Sequence, residues 1–257
     1  MYIACLMAGT GSRLLPLTTT DHKALLRAGD LPIIDVQMKT FVLAGLDTFS
    51  FVVGHGGGRI ANHLLTNYSA FAVSIINNNY FALRNLDWSA YLALSSRPGD
   101  AIYYEGDIIA SPSIIRQVAM HTGDVCVVMD LEGQSSRVDT RVIGEKGRVC
   151  ELVFSEHGDL AKAGAESSEG EFVCLVKLSN RAREYVVSRL EKESYDGPMR
   201  LYQIFNDLFR HYPSFFVSTA GRPWVEIDNK DDLLRAGQVA NQILGAQPSD
   251  DNYITRD

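Results

Sequence analysis

The sequence predicts an α/β fold of three layers, with a mainly parallel central sheet and a smaller antiparallel lobe. Three observations carry this. Short apolar runs alternate with helical patterns through the first half of the chain. The middle switches to hairpin spacing around Gly144-Glu145-Lys146-Gly147. Polar, glycine-bearing stretches follow the buried strands, where open α/β sheets gather their ligands.

The elements follow in order. Residues 2–6 read as a first strand, then a small-residue loop. Pro32 opens a helix reaching about Ala44, since its missing N–H costs least at a helix start. Strands are expected at 48–53, 71–76 and 101–104, with helices at 59–68 and 86–95 between them. Residues 125–131 form another strand, and 137–143 with 148–154 flank the hairpin turn. Residues 164–170 read as an exposed loop and 171–178 as a strand. Helices at 181–193 and 201–211, strands at 215–219 and 224–227, and a closing helix at 231–244 complete the chain. One domain over 1–245 is expected, with the antiparallel lobe near 136–213 and a polar, disordered tail at 246–257.

Composition excludes several classes. A formal net charge of -7 offers no basic excess for a nucleic-acid backbone, although a small phosphorylated ligand needs only a few local donors. No apolar run approaches the ~20 residues of a membrane span. The opening Met1-Tyr2-Ile3-Ala4 lacks the pattern of a signal peptide, and Cys5, Cys126, Cys150 and Cys174 all sit in apolar runs without paired spacing. Zinc or disulfides are the sharper reading; buried thiols in a reducing cytoplasm are the expectation.

The most informative segment follows the first strand: Met7-Ala8-Gly9-Thr10-Gly11-Ser12-Arg13-Leu14, then Pro16-Leu17-Thr18 and His22-Lys23-Ala24-Leu25-Leu26. Small residues let backbone N–H groups approach one anion, and Arg13 and Lys23 add charges suited to a triphosphate. A dinucleotide fingerprint does not fit, because Pro16 interrupts the helix that it requires, and no Walker Gly-Lys-Ser/Thr follows. The segment resembles the nucleotidyltransferases that activate sugar phosphates, phosphocholine and phosphonates. Their signature is a small-residue loop, G-x-G-x-R-L, P-L-T and P-K-x-L-L. Met7 and His22 depart from it, standing where relatives carry a small residue and a proline. The resemblance implies a Rossmann-like fold of the nucleotide-diphospho-sugar transferase type and catalytic roles for Lys23 and Arg13. It also implies nucleotide contacts from Met7, Ala8, Gly9, Thr10, Gly11 and Ser12.

Two acidic stations follow. Tyr104-Glu105-Gly106-Asp107 ends a buried strand, so Asp107 should face the site, and relatives carry a metal-binding aspartate in this Gly-Asp position. A turn aspartate capping the helix near Ser111-Pro112 is the structural alternative. Trp224-Val225-Glu226-Ile227-Asp228 sends Glu226 and Asp228 to one face, and relatives of the phosphocholine and phosphonate type carry a similar E-I-D segment. Asp107, Glu226 and Asp228 are therefore expected to share Mg2+, which prefers hard oxygen ligands. Capping of the last helix is the alternative for Asp228.

Asn77-Asn78-Asn79-Tyr80 through Asn85, Asp87, Trp88 and Ser89 resembles the cytidylyltransferase pattern. It makes Asn79 and Ser89, with Glu105, nucleotide contacts; an asparagine-rich capping turn is the alternative. Lys177 and Arg137, with Arg141 and Arg200 in reserve, are candidates to hold an anionic acceptor. Tyr195, Tyr202 and Trp224 are the aromatics available for a choline cage. His55 reads as a structural turn histidine. The resulting expectation is a Mg2+-dependent cytidylyltransferase joining CMP from CTP to a phosphonate or phosphate monoester of the 2-aminoethylphosphonate, phosphonoformate or phosphocholine kind. The alternatives are a sugar-1-phosphate nucleotidyltransferase and an inactive nucleotide-binding module. A homodimer is compatible with all three.

Overall fold

The structure, a computed structural model, describes residues 1–133, 140–154, 167–192 and 200–245. Strand β1 (Tyr2–Met7) leads through single helical turns at Ser12–Leu14 and Lys23–Leu25 to the short ladder β2 (Arg27–Ala28) and β3 (Leu31–Pro32). Helix α1 (Ile33–Leu43) starts directly after Pro32. Alternation continues through β4 (Thr48–Val53), α2 (Gly57–Asn67), β5 (Ala72–Asn77), α3 (Leu86–Ser95) and β6 (Ala101–Glu105). Next come β7 (Ile108–Ala110), α4 (Pro112–Ala119) and β8 (Val125–Asp130). The second half holds β9 (Thr140–Glu145), β10 (Arg148–Phe154), β11 (Ser167–Leu178), α5 (Asn180–Leu190) and α6 (Leu201–His211). It closes with β12 (Ser214–Ser218), β13 (Trp224–Glu226) and α7 (Lys230–Gly245).

Nine strands form one sheet in the order β5-β4-β1-β6-β11-β8-β12-β10-β9. The first four are parallel, as continuous apolar runs predict for strands covered on both faces. Neighbouring side chains of β6 show the two layers: Tyr103 packs edge-on against Phe205 of α6, and Tyr104 against Phe41 of α1. The sheet is mixed, because β11 runs antiparallel between β6 and β8. Its register shifts between Phe172 and Val176, and its first half crosses to β9, closing the antiparallel lobe.

A second, smaller ladder lies off the main sheet. β7 and β13 pair antiparallel, with Glu226 opposite Ile108, and the Ile227 N–H donates to the Asp107 carbonyl at 3.0 Å. This ladder has its own apolar core of Leu14, Val36, Ile109, Val225, Ile227 and Ala240, among others, supplied by the opening loop, α1 and α7. It is tied to the main sheet through Asp130, whose carboxylate accepts from Trp224 Nε1 at 2.9 Å and Thr219 Oγ1 at 2.7 Å.

The structure adjusts several expectations. The hairpin turn is only Lys146-Gly147, at φ 51° and 79°, the two-residue geometry that matches strand twist; Gly144 and Glu145 remain in β9. The loop expected at 164–170 gives way at Ser167, where β11 begins, because the strand extends to pair with β9. Cys150 is exposed on β10, whereas the other three cysteines are buried. The tail at 246–257, Arg137 and Tyr195 lie outside the described residues.

Thr219→Val keeps the shape of a fully buried residue and removes one donor from the Asp130 carboxylate. Denaturant unfolding should show a loss of about 1–3 kcal/mol. An unchanged midpoint would mean that Asp130 does not depend on this bond.

Candidate active site

The loop after β1, the turn after β6 and the end of β13 meet at one cavity of about 200 Å³. Met7, Gly9, Gly11, Ser12, Arg13, Lys23, Asp107 and Asp228 line it. The opening loop is held from inside. Leu14 is buried in the smaller core, which anchors the exposed Arg13, and Thr18 Oγ1 donates to the Gly11 carbonyl at 2.9 Å. Ala8 is buried, and its carbonyl accepts from the His55 N–H at 3.2 Å; Thr10 is exposed.

His22, one of the two departures from the resembling signature, fastens the loop to the lysine. Its Nδ1 accepts from the Ala24 N–H at 3.0 Å and caps the turn carrying Lys23. That bond leaves the proton on Nε2, which donates to the Gly9 carbonyl at 3.0 Å. Burial first, then the nearby His55 and Lys23, lowers its pKa to about 4, against the bond to Gly9.

Three carboxylates face these cations. Oxygens of Asp107, Glu226 and Asp228 lie within 4.8 Å of one another. Lys23 Nζ approaches Asp107 Oδ2 at 3.1 Å and Asp228 Oδ1 at 3.9 Å. Arg13 grips Asp228 with both terminal nitrogens, at 2.7 and 2.8 Å. Asp107 Oδ1 is buried without a hydrogen-bond partner. Burial and the charges of Asp107, Asp228 and Glu105 push Glu226 up to about 9; burial also raises Asp228, against Lys23. Hard oxygens crowded together, with one unpartnered, fit a divalent cation such as Mg2+.

The turn that presents Asp107 requires Gly106. A Cβ there would lie 2.3 Å from the Leu6 carbonyl oxygen, so only glycine lets the turn sit on β1. From the other side, Gln37 of α1, which the sequence reading passed over, donates to the Gly106 and Ile108 carbonyls. A glutamine within the buried stripe Ile33, Ile34, Gln37, Thr40, Phe41 was the signal available for it.

Not every expected residue reaches the cavity. Lys177 is a correction: β11 runs antiparallel to β6, which puts Lys177 opposite Ile102, near the start of that strand. There it is buried and donates to the Gly123 carbonyl at 2.7 Å, at the end of the sheet away from Asp107. Glu105 is beside the site but does not line the cavity; its Oε1 accepts from Tyr103 and Tyr202 hydroxyls at 2.6 and 3.1 Å. Burial and Asp107 raise it to about 7. Ser89 is buried and accepts from Asn78 Nδ2 at 3.0 Å, while Asn79 is exposed; neither lines the cavity. Asn85 caps α3, and Asp87 accepts from the Arg200 and Leu201 N–H groups at the start of α6. Trp224 is buried against Asp130 and forms no cage. Arg141 pairs with Glu169 at 3.2 Å.

Residues 4–83 match the family model described as Nucleotidyl transferase, which bears out the resemblance read from the opening loop. Over 144 residues the chain is 29% identical to the 2-aminoethylphosphonate cytidylyltransferase of Lancefieldella rimae, covering 51% of this chain and 57% of that one. The chain spans about three fifths or less of the curated relatives that it matches. Its fold is similar to that of the inositol-1-phosphate CTP transferase from T. maritima, with a TM-score of 0.73 at 16% identity over 94% of this chain and 95% of that one. It is also similar to the CTP:phosphocholine cytidylyltransferase of Streptococcus pneumoniae, with a TM-score of 0.69 at 19% identity over 93% and 97%. The architecture is thus the Rossmann-like α/β fold of nucleotide-diphospho-sugar transferases, with a mixed sheet. Among the described residues, no helix is long and apolar enough to cross a membrane.

The histidine gives a pH test. Its folded pKa of about 4 lies below its ordinary 6.5, so between those values the unfolded chain binds more protons. Stability should be full above pH 6.5 and fall as pH drops toward 4. A His22→Gln variant should lose that share of the slope; an unchanged slope would show that His22 does not titrate on unfolding.

Proposed function

We propose that the protein transfers a nucleotide from a nucleoside triphosphate to an anionic acceptor, with CTP as donor and a phosphonate or phosphate monoester as acceptor. The observation that carries this is one cavity lined by Lys23, Arg13, Met7, Gly9, Gly11, Ser12, Asp107 and Asp228, with Glu226 beside the two aspartates. The family match and the cytidylyltransferase relative support the reaction class.

Asp107, Glu226 and Asp228 would hold Mg2+, which when bound supplies positive charge to the triphosphate oxygens. The rest is work for the chain itself. In the protein alone, Lys23 and Arg13 neutralise two of the carboxylates. A triphosphate entering with its cation would let both change partner, to phosphate oxygens, so that Lys23 and Arg13 each keep an anionic partner. Backbone N–H groups of the 7–12 loop, fixed by Leu14, Thr18 and His22, orient the triphosphate. The acceptor oxygen is already ionised near neutral pH, so no general base is required. The acceptor oxygen bonds to the α-phosphorus as the bond to the leaving pyrophosphate breaks.

The 2-aminoethylphosphonate cytidylyltransferase relative favours an acceptor with a cationic nitrogen, such as 2-aminoethylphosphonate or phosphocholine, over a sugar phosphate.

Pyrophosphate release with Mg2+, each of the four nucleoside triphosphates and a panel of phosphonates, phosphocholine and sugar 1-phosphates tests this. CTP with an amine-bearing acceptor should turn over fastest. Sugar 1-phosphates as the best substrates would overturn the acceptor assignment, and tight nucleotide binding without turnover would overturn the enzyme reading. Lys23→Ala should lower kcat by about 10²–10³-fold, the usual cost of losing one donor to transition-state charge. Full activity in that variant would remove Lys23 from the chemistry.

A further inference from the structure

Gln37 is a buried amide that the proposed chemistry does not use. It lies on α1, fully excluded from solvent. Its Nε2 donates to the Gly106 carbonyl at 3.0 Å and the Ile108 carbonyl at 2.7 Å, on either side of Asp107. Its Oε1 is buried and has no hydrogen-bond partner. An acceptor left unpaired in the interior is costly, and methionine or leucine would fill similar space without that cost. Packing therefore does not account for an amide here.

The amide grips the peptide groups that carry Asp107. The Asp107 carbonyl itself accepts from the Ile227 N–H at 3.0 Å, and the Gly106 N–H donates to Leu6 at 2.9 Å. The Ile108 carbonyl takes a second bond from the Tyr104 hydroxyl at 2.8 Å. Each carbonyl from Gly106 to Ile108 thus accepts a hydrogen bond, and Gln37 donates to both of those that flank the aspartate, sharing the Ile108 carbonyl with Tyr104. The carboxylate at the centre of this grip is the one whose Oδ1 is buried and unpartnered.

We propose that Gln37 is a positioning residue for divalent-cation binding. By fixing the Gly106 and Ile108 carbonyls it presents the Asp107 carboxylate to the ion shared with Glu226 and Asp228. The inference rests on the reading of those three carboxylates as metal ligands. Groups that orient a ligand in this way typically govern metal affinity by about 10–100-fold.

The test is Mn2+ binding to the full chain, followed by electron paramagnetic resonance with and without CTP, alongside thermal unfolding. Gln37→Met removes both donors, and Gln37→Glu keeps side-chain length but can offer at most the one O–H of a protonated acid to the two carbonyls. Each should weaken Mn2+ binding about 10–100-fold, and Gln37→Met should leave the thermal midpoint unchanged or higher. Wild-type affinity in either folded variant would overturn the inference. So would a loss of metal that tracks a lowered midpoint in both, which marks a structural role. Asp107→Asn separates the two levels. If wild type binds Mn2+, Asp107→Asn does not and Gln37→Met binds normally, the inference alone fails. If wild type binds none, the metal site fails and takes the inference with it.

Discussion

Three carboxylates within 4.8 Å of one another repel, and residues 107 and 226 are far apart in the chain, so some structure must hold them together. The short ladder of β7 and β13 does so. Pairing Glu226 with Ile108, and Ile227 N–H with the Asp107 carbonyl, brings the two acidic segments to one end of the sheet. Closing so long a loop costs entropy, and six residues of ladder could not offset it alone. The smaller apolar core beneath the ladder, together with the Asp130 bonds to Trp224 and Thr219, supplies what the ladder lacks.

The same core links the acidic ladder to the cationic loop. Leu14 belongs to it, and Arg13, next in the chain, reaches Asp228. Lys23 spans Asp107 and Asp228 from a turn capped by His22. Opposite charges therefore converge because their backbones share one packed support, and their mutual attraction repays part of the repulsion among the acids. On the proposed reading, an anion and a cation arriving together would each offer a partner to the opposite set of charges.

Much of this was legible in the sequence. The strand at Thr48–Val53 is legible to the residue, because a β-favouring, mostly apolar run bounded by Asp47 and Gly54 leaves little choice. The opening loop and the acids at 107, 226 and 228 were also readable, since small residues after a buried strand and alternating acids have direct physical meanings. What escaped depended on register and distant pairing. Lys177 could be assigned to a strand, but not to an end of the sheet until the antiparallel course of β11 was known. The β7–β13 ladder is three residues a side, too short for any periodicity to reveal. His22 was visible only as a departure, whereas its two ring nitrogens bond groups brought together by the fold.

The central claim is that Asp107 and Asp228 act through one shared ion and therefore as a unit. A double-mutant cycle on kcat/KM for Mg2+-dependent pyrophosphate release, with Asp107→Asn, Asp228→Asn and the pair, tests it directly. The account predicts that either single change removes most of the activity and that the double variant is little worse than the poorer single one. Losses that multiply, as for independent residues, would contradict it.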